Sequence, residues 1–424
     1  MKAPQSSSGA DRDEAFVIRG SRCAMGPDET RDCTIQIGGG RITAIDAGSH
    51  SRPNRSYDVD VDLSGFMLLP GLINAHDHLE FGLYPRLGDP PYRNYVEWGD
   101  DIHSKVLPAI AMQHKVPKNV RVWWGGLRNL LCGVTTVCHH NPLLPDLQRD
   151  DFPVRVVQKV GWGHSLALGG DLCAARAATP AGGPFIVHVC EGVDDLARAE
   201  LRALDQLGLL DEFAVLVHGL ALDPAGVALL RERHASMIVC PSSNYFLYRQ
   251  LPDMRLLGEI ERVALGNDSP LTAHGDLLDE IRFAVDVCNV SPQQAYRMVT
   301  SVPAAVLRLD DSAGSIKESG PADLIAVRDT GGFAADRLLT LSMEDVELVM
   351  IAGRVQLASD AILEKLPPSA MEGLEPLLIG TAARWLRAPV GELLRRAEEV
   401  LGKDQVCFGE RTLRTASVEI AHVC

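Results

Sequence analysis

The sequence is poor in several features that would place it in a specialised class. None of its ten cysteines forms a C-x-x-C pair, and no uninterrupted apolar run approaches the length of a membrane-spanning helix. The polar opening also lacks the apolar segment of a signal peptide. We therefore expect a protein of the reducing cytoplasm with free thiols, no membrane partner and a disordered stretch over residues 1–14.

Positive charge is also scarce. The chain has 41 Lys and Arg residues against 56 Asp and Glu residues, which gives a formal net charge of −15. A nucleic-acid phosphate backbone or an anionic membrane surface is a poor partner for such a chain. The charge balance therefore makes a neutral or weakly basic small molecule a more plausible substrate than a polyanion.

The segment MLLPGLINAHDHLE, residues 67–80, is the centre of the sequence. It combines an apolar run, a Pro70-Gly71 break, a second short apolar run and then His76-Asp77-His78. On an extended strand residues i and i+2 point to the same side, so both imidazoles can bind one ion. The pattern predicts a metal-binding strand end.

Four later residues occupy the same kind of position. His188 in VHVCEG, Glu191 just after it, His218 in LVHGL and Asp268 in LGNDSP all lie where an apolar, β-branched run ends. In a barrel of parallel strands, such ends converge on one face of the fold. We therefore expect these side chains to surround the same site as the first two histidines.

Strands alternate with helices through the middle of the chain, which predicts a parallel sheet. Eight such units close a (β/α)8 barrel, and a doubly wound open sheet is the rival architecture. Only about two dozen residues separate Gly161 from FIVHVC, so we expect a compressed fourth strand near Ser165–Leu168 with its helix reduced or missing. The predicted class is α/β, a distorted TIM-like barrel.

Both ends of the central region have short alternating apolar runs separated by turns, which are typical of β-hairpins. We predict a composite β-sandwich domain from residues 15–66 and 312–362, built from both termini, beside a barrel at residues 67–311. Residues 363–424 are expected to form a helical extension, including TAARWLRA and VGELLRRAEEVLG. The second of these has an apolar stripe that can dock on the barrel or on a second subunit.

The candidate site residues suggest a catalytic metal centre. Two imidazoles from the first strand, one from the fifth and a carboxylate from the eighth can hold a divalent ion, which activates water at neutral pH. Glu191 can serve as the proton shuttle, although an acid at a helix start is the alternative interpretation. His218 is either a group that orients the nucleophile, which we favour, or a further ligand.

Together these motifs resemble those of the amidohydrolase superfamily, within its cytosine deaminase-like and chlorohydrolase branch of guanine, adenosylhomocysteine and triazine hydrolases. The matching motifs are PGLINAHDH, GVTTVCHH, HVCE, VHGL, CPSSN, LGNDS, GPADLIAV and VELVMIAGRV. The resemblance implies a distorted barrel with one Zn²⁺, or alternatively Fe²⁺. It also implies His76, His78, His188 and Asp268 as ligands, Glu191 as proton shuttle, His218 beside the attacking water, and Asp268 in proton transfer.

The sequence departs from this family pattern where the substrate pocket is shaped. Cys138-His139-His140 ends the second strand, where many relatives carry an aspartate, and the passage between the third and fifth strands is short. The candidate substrate contacts are Glu80, Arg86, His140 and His164, each with a structural role as its alternative. The long connection over residues 79–120 is a candidate lid, or its aromatic residues simply pack it on the barrel.

The expected function is hydrolytic deamination of an amino-substituted heterocycle or a cyclic amidine. Hydrolysis of a cyclic amide or of a carbon–halogen bond by the same site is the alternative within hydrolases. A non-catalytic scaffold relative is the alternative from another class, although no candidate ligand is missing from the sequence. The resemblance and the helical tail lead us to expect a homodimer.

Overall fold

The fold is taken from a computed structural model that describes residues 15–48, 57–104, 108–310 and 312–415. The predicted disorder over residues 1–14 lies outside the described part of the chain. Among the described helices, none combines the length and the apolar character that crossing a bilayer requires.

The described strands are β1 Phe16–Ala24, β2 Thr30–Gly38, β3 Arg41–Ala47, β4 Val59–Asp62, β5 Phe66–Pro70, β6 Leu72–Asp77, β7 Val134–His139, β8 Arg155–Val156, β9 Gly161–Gly163, β10 Phe185–Val189, β11 Ala214–His218, β12 Ser236–Val239, β13 Val263–Leu265, β14 Leu324–Arg328, β15 Val346–Ile351, β16 Arg354–Ala358, β17 Glu375–Ile379, β18 Ala382–Leu386, β19 Cys407–Phe408 and β20 Arg411–Thr415.

The α-helices are α1 Tyr95–Ser104, α2 Pro108–Lys115, α3 Lys118–Leu131, α4 Leu172–Ala177, α5 Asp195–Gln206, α6 Pro224–Glu232, α7 Pro241–Tyr248, α8 Met254–Leu257, α9 Leu277–Asp286, α10 Pro292–Met298, α11 Ser301–Val306, α12 Ala334–Leu339, α13 Asp360–Leu363, α14 Pro368–Met371 and α15 Val390–Leu401.

The central strands form two parallel sheets. One has the order β13-β12-β11-β10-β9 and the other the order β6-β7-β8. A single parallel bridge between Asp77 and Asp268 joins the end of β6 to the segment after β13. The predicted α/β class with parallel strands is therefore confirmed.

Both faces of these strands are buried, as expected where helices cover a parallel sheet. Alternate residues of β10 belong to different clusters: Phe185, Val187 and Val189 pack with the helices, whereas Ile186 joins a smaller inner cluster. That inner cluster also receives side chains from five other parallel strands: Ile73, Ala75, Cys138, Val215, Val217, Ile238 and Ala264. The six strands thus share one apolar centre.

Strands from both ends of the chain form one mixed twelve-stranded sheet. Its order is β19-β20-β17-β18-β16-β15-β14-β5-β1-β2-β3, with β4 paired to β1. β5 pairs with both β1 and β14, so the sheet reaches Pro70, beyond the predicted boundary at residue 66. The Pro70-Gly71 break is therefore the point where the chain leaves this sheet for the parallel strands.

The region after residue 363 is not purely helical, which corrects the prediction for TAARWLRA. Ala382–Leu386 is a strand that pairs antiparallel with Glu375–Ile379 and with β16. Its alanine, leucine and arginine residues favour helix locally, but sheet pairing and the burial of Arg384 and Leu386 override that preference. The predicted helix in VGELLRRAEEVLG is confirmed as α15, which buries Leu393, Leu394 and Ala397.

Two other sequence expectations need correction. The fourth parallel strand is Gly161–Gly163, a few residues before the predicted position, and its helix is the short α4. The connection after His78 is partly helical, with α1 and α2 in it. Tyr84 and Trp98 from this connection pack together with Leu271 in a small apolar cluster, which favours the packing interpretation of its aromatic residues.

Candidate metal centre and proton-transfer site

The carboxyl ends of the parallel strands carry the candidate site. His76 and His78 lie at the end of β6, His188 lies within β10, and His218 closes β11. Asp268 follows β13 by three residues. All five side chains are buried, and the structure brings all of them together, although they are far apart in the sequence.

The ligand atoms of these side chains form two overlapping groups of three, which share His76. Nε2 of His188 lies 3.1 Å from Nε2 of His76, and Oδ1 of Asp268 lies 3.7 Å from Nε2 of His76 and 3.5 Å from Nε2 of His78. The ligand atoms of His76, His78 and Asp268 lie within 4.8 Å of one another, and so do those of His76, His188 and His218.

The chemistry of these donors fits a divalent metal ion. Burial lowers the pKa of His76 to about 4 and the pKa of His188 well below its ordinary value, so both rings are neutral at pH 7 and have a lone pair to offer. At 3.1 Å the two Nε2 atoms can share a hydrogen bond in one tautomer, or both can turn their lone pairs to a shared cation. Imidazole nitrogens with one carboxylate oxygen are typical zinc ligands.

The backbone is unusual at three of the strand ends. Cys190, His218 and Asp268 have φ values of 53°, 76° and 56°, in the left-handed region that non-glycine residues seldom adopt. Such conformations cost free energy and are found preferentially at functional sites. Here they coincide with two candidate site residues and with the residue directly before Glu191.

Glu191 lies next to His218 on one side of the cluster. Its Oε2 is 3.5 Å from Nε2 of His218, and its Oε1 accepts a 2.9 Å hydrogen bond from the hydroxyl of Tyr248. Burial raises the pKa of the Glu191 carboxyl, against the opposing effect of His218. A carboxyl with a raised pKa binds a proton more tightly than an ordinary glutamate, which suits a group that first accepts a proton and then donates it.

Hydrogen bonds from behind the cluster set the orientation of two more side chains. Nδ1 of His218 lies 2.9 Å from Oδ1 of Asn244, which places a proton on Nδ1 and leaves Nε2 free to face the cluster. Oδ2 of Asp268 accepts from Ser243 at 2.7 Å and from Thr272 at 3.1 Å. Its Oδ1 is thereby directed towards the histidines.

Solved structures with this architecture include an adenosine deaminase from Xanthomonas campestris with bound zinc, with a TM-score of 0.67 and 18% identity. The match covers 91% of this chain and 97% of that one. Atrazine chlorohydrolase from Arthrobacter aurescens, complexed with zinc, has a TM-score of 0.65 and 19% identity, covering 80% of this chain and 95% of that one.

Sequence comparison gives a concordant result. A 5-methylthioadenosine/S-adenosylhomocysteine deaminase from Syntrophobacter fumaroxidans is 23% identical over 390 residues, covering 75% of this chain and 85% of the relative. The sequence pattern of the amidohydrolase family matches residues 164–355, which include His188, Glu191, His218 and Asp268. The chain is therefore similar to amidohydrolases in part of its sequence, and similar to zinc-bound hydrolases in its fold. The resemblance to amidohydrolases that was expected from the sequence is confirmed, while the metal-binding roles of the individual residues stay predictions.

The candidate substrate contacts fall into two groups. His140 and His164 lie at the cluster, with ring centroids 4.4 Å and 4.8 Å from that of His188. Neither ring nitrogen of His140 has a hydrogen-bond partner among the described residues, although the side chain is buried. His140 is thus the candidate with the most unused hydrogen-bonding capacity, and its role stays a prediction.

The other two candidates lie away from the histidines or are engaged by the protein. Glu80 is buried, with its Oε1 2.9 Å from Nδ2 of Asn141 and 3.3 Å from Nζ of Lys118. Arg86 is exposed and contacts His274 at 3.4 Å. Their roles in substrate binding remain predictions, and the contacts of Glu80 favour the structural alternative for that residue.

Several residues around the site carry no assignment from the sequence. The motif CPSSN marks the start of α7, but the pattern alone does not say that Ser243 and Asn244 contact Asp268 and His218. Tyr248 lies one helical turn after Asn244, so the i, i+4 spacing places both on one helix face. If α7 is recognised as a helix, this spacing is the feature of the sequence that indicates Tyr248 as a site residue.

Proposed function

We propose that this chain is a metal-dependent aminohydrolase that deaminates an amino-substituted heterocycle or cyclic amidine. The observation that carries the proposal is the convergence of three strand-end histidines and Asp268, with the buried Glu191 beside them. Relatives named as 5-methylthioadenosine/S-adenosylhomocysteine deaminases support the substrate class.

His76, His78, His188 and Asp268 would hold one divalent ion, and His218 would lie beside the attacking water. The ion supplies Lewis acidity, which makes water a nucleophile at neutral pH. We propose zinc, because zinc is bound in two solved structures of similar fold, and keep iron as the alternative. The site residues then have to move protons and stabilise charge.

Glu191 takes the proton from the water as its oxygen bonds to the ring carbon. The same carboxyl then delivers that proton to the departing nitrogen, so the carbon–nitrogen bond breaks and ammonia leaves. Asp268 takes part in the proton transfer. His218, held through Asn244 on its far nitrogen, stabilises the charge that develops on the attacked group.

The proposal also covers the architecture, the cellular location and the oligomeric state. The eight parallel strands β6–β13 form a distorted barrel, which the shared inner apolar cluster of six of them supports. The terminal strands form a composite sandwich-like domain, and the helix α15 docks on α2 and α3 of its own chain. The enzyme acts in the cytoplasm as a homodimer, which size-exclusion chromatography with light scattering can test.

The proposed reaction is tested by ammonia release from a panel of substrates. The panel contains 5-methylthioadenosine, S-adenosylhomocysteine and amino-substituted purines, pyrimidines, triazines and cyclic guanidines, together with a chlorotriazine assayed for chloride. Ammonia release from at least one panel member is expected. Chloride release or ring opening without ammonia would contradict the proposed deamination and favour another hydrolysis at the same site.

Glu191→Gln tests the shuttle directly. The amide keeps the shape of the side chain but cannot carry the proton, so turnover should fall by roughly 10²–10⁴-fold while the metal stays bound. Turnover is measured as ammonia release, and bound metal by elemental analysis of the same preparation. If the variant keeps its activity, Glu191 is not the shuttle.

A further inference from the structure

The helix α7 contacts three different members of the proposed catalytic set. Ser243 donates to Oδ2 of Asp268 at 2.7 Å, Oδ1 of Asn244 lies 2.9 Å from Nδ1 of His218, and Tyr248 donates to Oε1 of Glu191 at 2.9 Å. All three side chains of α7 are buried. One short helix therefore reaches the ends of three separate parallel strands.

The helix is itself held at its first turn. The buried carboxyl group of Glu280, on α9, accepts from the backbone N–H of Ser242 at 2.8 Å and also contacts its hydroxyl. The backbone N–H of Asn244 donates to the carbonyl of Cys240, which continues the chain directly from β12. A helix anchored to α9 and β12 can hold the side chains that it contacts in fixed positions.

We propose that Tyr248 is a positioning residue that aims the Glu191 carboxylate at the reacting atoms. This inference rests on the proposed function, because it takes Glu191 as the proton shuttle. The Tyr248 hydroxyl donates a hydrogen bond to Oε1 of Glu191. The other oxygen, Oε2, then faces His218 and lies 3.5 Å from its Nε2. Tyr248 acts through Glu191 and takes no part in holding the metal.

The geometry explains why one hydroxyl can matter to the rate. The terminal torsion of a glutamate is broad, so an unanchored carboxylate samples many orientations. Proton transfer needs the donor and acceptor within hydrogen-bond distance, and a displacement of about 1 Å can cost about 100-fold in rate. A fixed donor on Oε1 restricts Oε2 to the cluster side of the pocket.

The chain offers a matched pair of variants for the test. Tyr248→Phe removes only the hydroxyl and keeps the buried ring, so the packing of α7 is preserved. Tyr245→Phe makes the same change on the same helix, at a ring that is 42% exposed and packs against Phe283. Both full-length variants are compared with the wild type for bound metal, kcat and KM, using the best substrate of the ammonia-release panel.

We expect Tyr248→Phe to keep its metal and to lower kcat by about 10- to 100-fold with little change in KM. Tyr245→Phe should behave as the wild type. In the Glu191→Gln background, Tyr248→Phe should have no further effect, because its partner can no longer transfer the proton.

Three outcomes would overturn the inference: an unchanged kcat in Tyr248→Phe, a loss of bound metal, or an equal reduction in the Glu191→Gln background. A different result, full activity of Glu191→Gln alone, refutes the proposed shuttle itself. The two failures are therefore distinguishable in one set of assays.

Discussion

Buried polar side chains on the two sides of strand β6 differ in their hydrogen bonding. Asp77 points away from the cluster and accepts from Arg128 at 3.0 Å, from Asn129 at 2.7 Å and from Asn74 at 3.2 Å. His76, the residue before it, points into the cluster, where its Nε2 faces another imidazole and a carboxylate. One side of the strand is saturated with partners, and the other offers lone pairs to a ligand.

The same contrast separates two buried carboxylates that a β-bridge holds side by side. Asp77 has donors on both oxygens, including a guanidinium, whereas Asp268 has donors on Oδ2 and turns Oδ1 towards the histidines. Buried polar atoms in folded proteins are normally satisfied by hydrogen bonds. Where several lone pairs instead converge, a ligand is the natural partner, so burial alone does not distinguish structural from chemical carboxylates.

Asp268→Asn should cause the largest loss of turnover. The amide cannot supply the negative oxygen that faces His76 and His78, so metal binding should weaken and turnover should fall by at least about 10²–10⁴-fold. The measurement is ammonia release together with thermal unfolding. Normal turnover in this variant would show that Asp268 belongs with the structural carboxylates.

Asp77→Asn, the same change on the other side, should mainly reduce stability. It leaves the buried guanidinium of Arg128 without its charged partner, which typically costs roughly 3–5 kcal/mol of unfolding free energy. Denaturant unfolding measures this loss, and the folded fraction should keep its turnover within about tenfold. Adding Arg128→Met should recover part of the stability, because no unpaired charge then remains. If Asp77→Asn is stable but inactive, Asp77 serves the reaction and is not a structural carboxylate.

A further effect concerns the anchor of α7, and it depends on pH. Burial raises the pKa of Glu280 to about 8, from 4.5 for an ordinary glutamate. The folded state thus favours the protonated carboxyl, so its stabilising contribution is complete below pH 4.5 and is lost as the pH rises through about 8.

Unfolding free energies of the wild type and Glu280→Gln, measured across this window, should therefore diverge. The wild type should lose up to about 1.4 kcal/mol per pH unit relative to the variant, because one proton is released on unfolding. Equal slopes for the two proteins would contradict the raised pKa. Turnover of the variant at low pH serves as a control for an intact site.

The convergence of the candidate site residues could be predicted from the sequence, whereas the hydrogen bonds of Asp77 could not. His76, His78, His188, His218 and Asp268 all follow apolar strands, and the local alternation of a strand fixes which side they face. Two of the partners of Asp77, Arg128 and Asn129, come from α3, more than 50 residues later, and nothing in their spacing indicates that contact. Long-range pairing of polar groups has no local pattern.

The errors in the fold have similar physical causes. Gly161–Gly163 carries no β-branched run, so the fourth strand had no local signal, and only its pairing with β10 defines it. TAARWLRA has helix-forming residues, but its partners in the twelve-stranded sheet decide its conformation. The contacts of α7 could not be predicted from the sequence either, because they join its side chains to residues at the ends of three strands that are distant in the chain.

The most direct test of the account is the metal content of purified wild-type, Asp268→Asn and Asp77→Asn protein, measured in parallel by elemental analysis. The account predicts about one divalent ion per chain in the wild type and in folded Asp77→Asn, and far less in Asp268→Asn. A wild type without a stoichiometric ion would contradict it. So would a set in which Asp268→Asn keeps the ion and Asp77→Asn loses it.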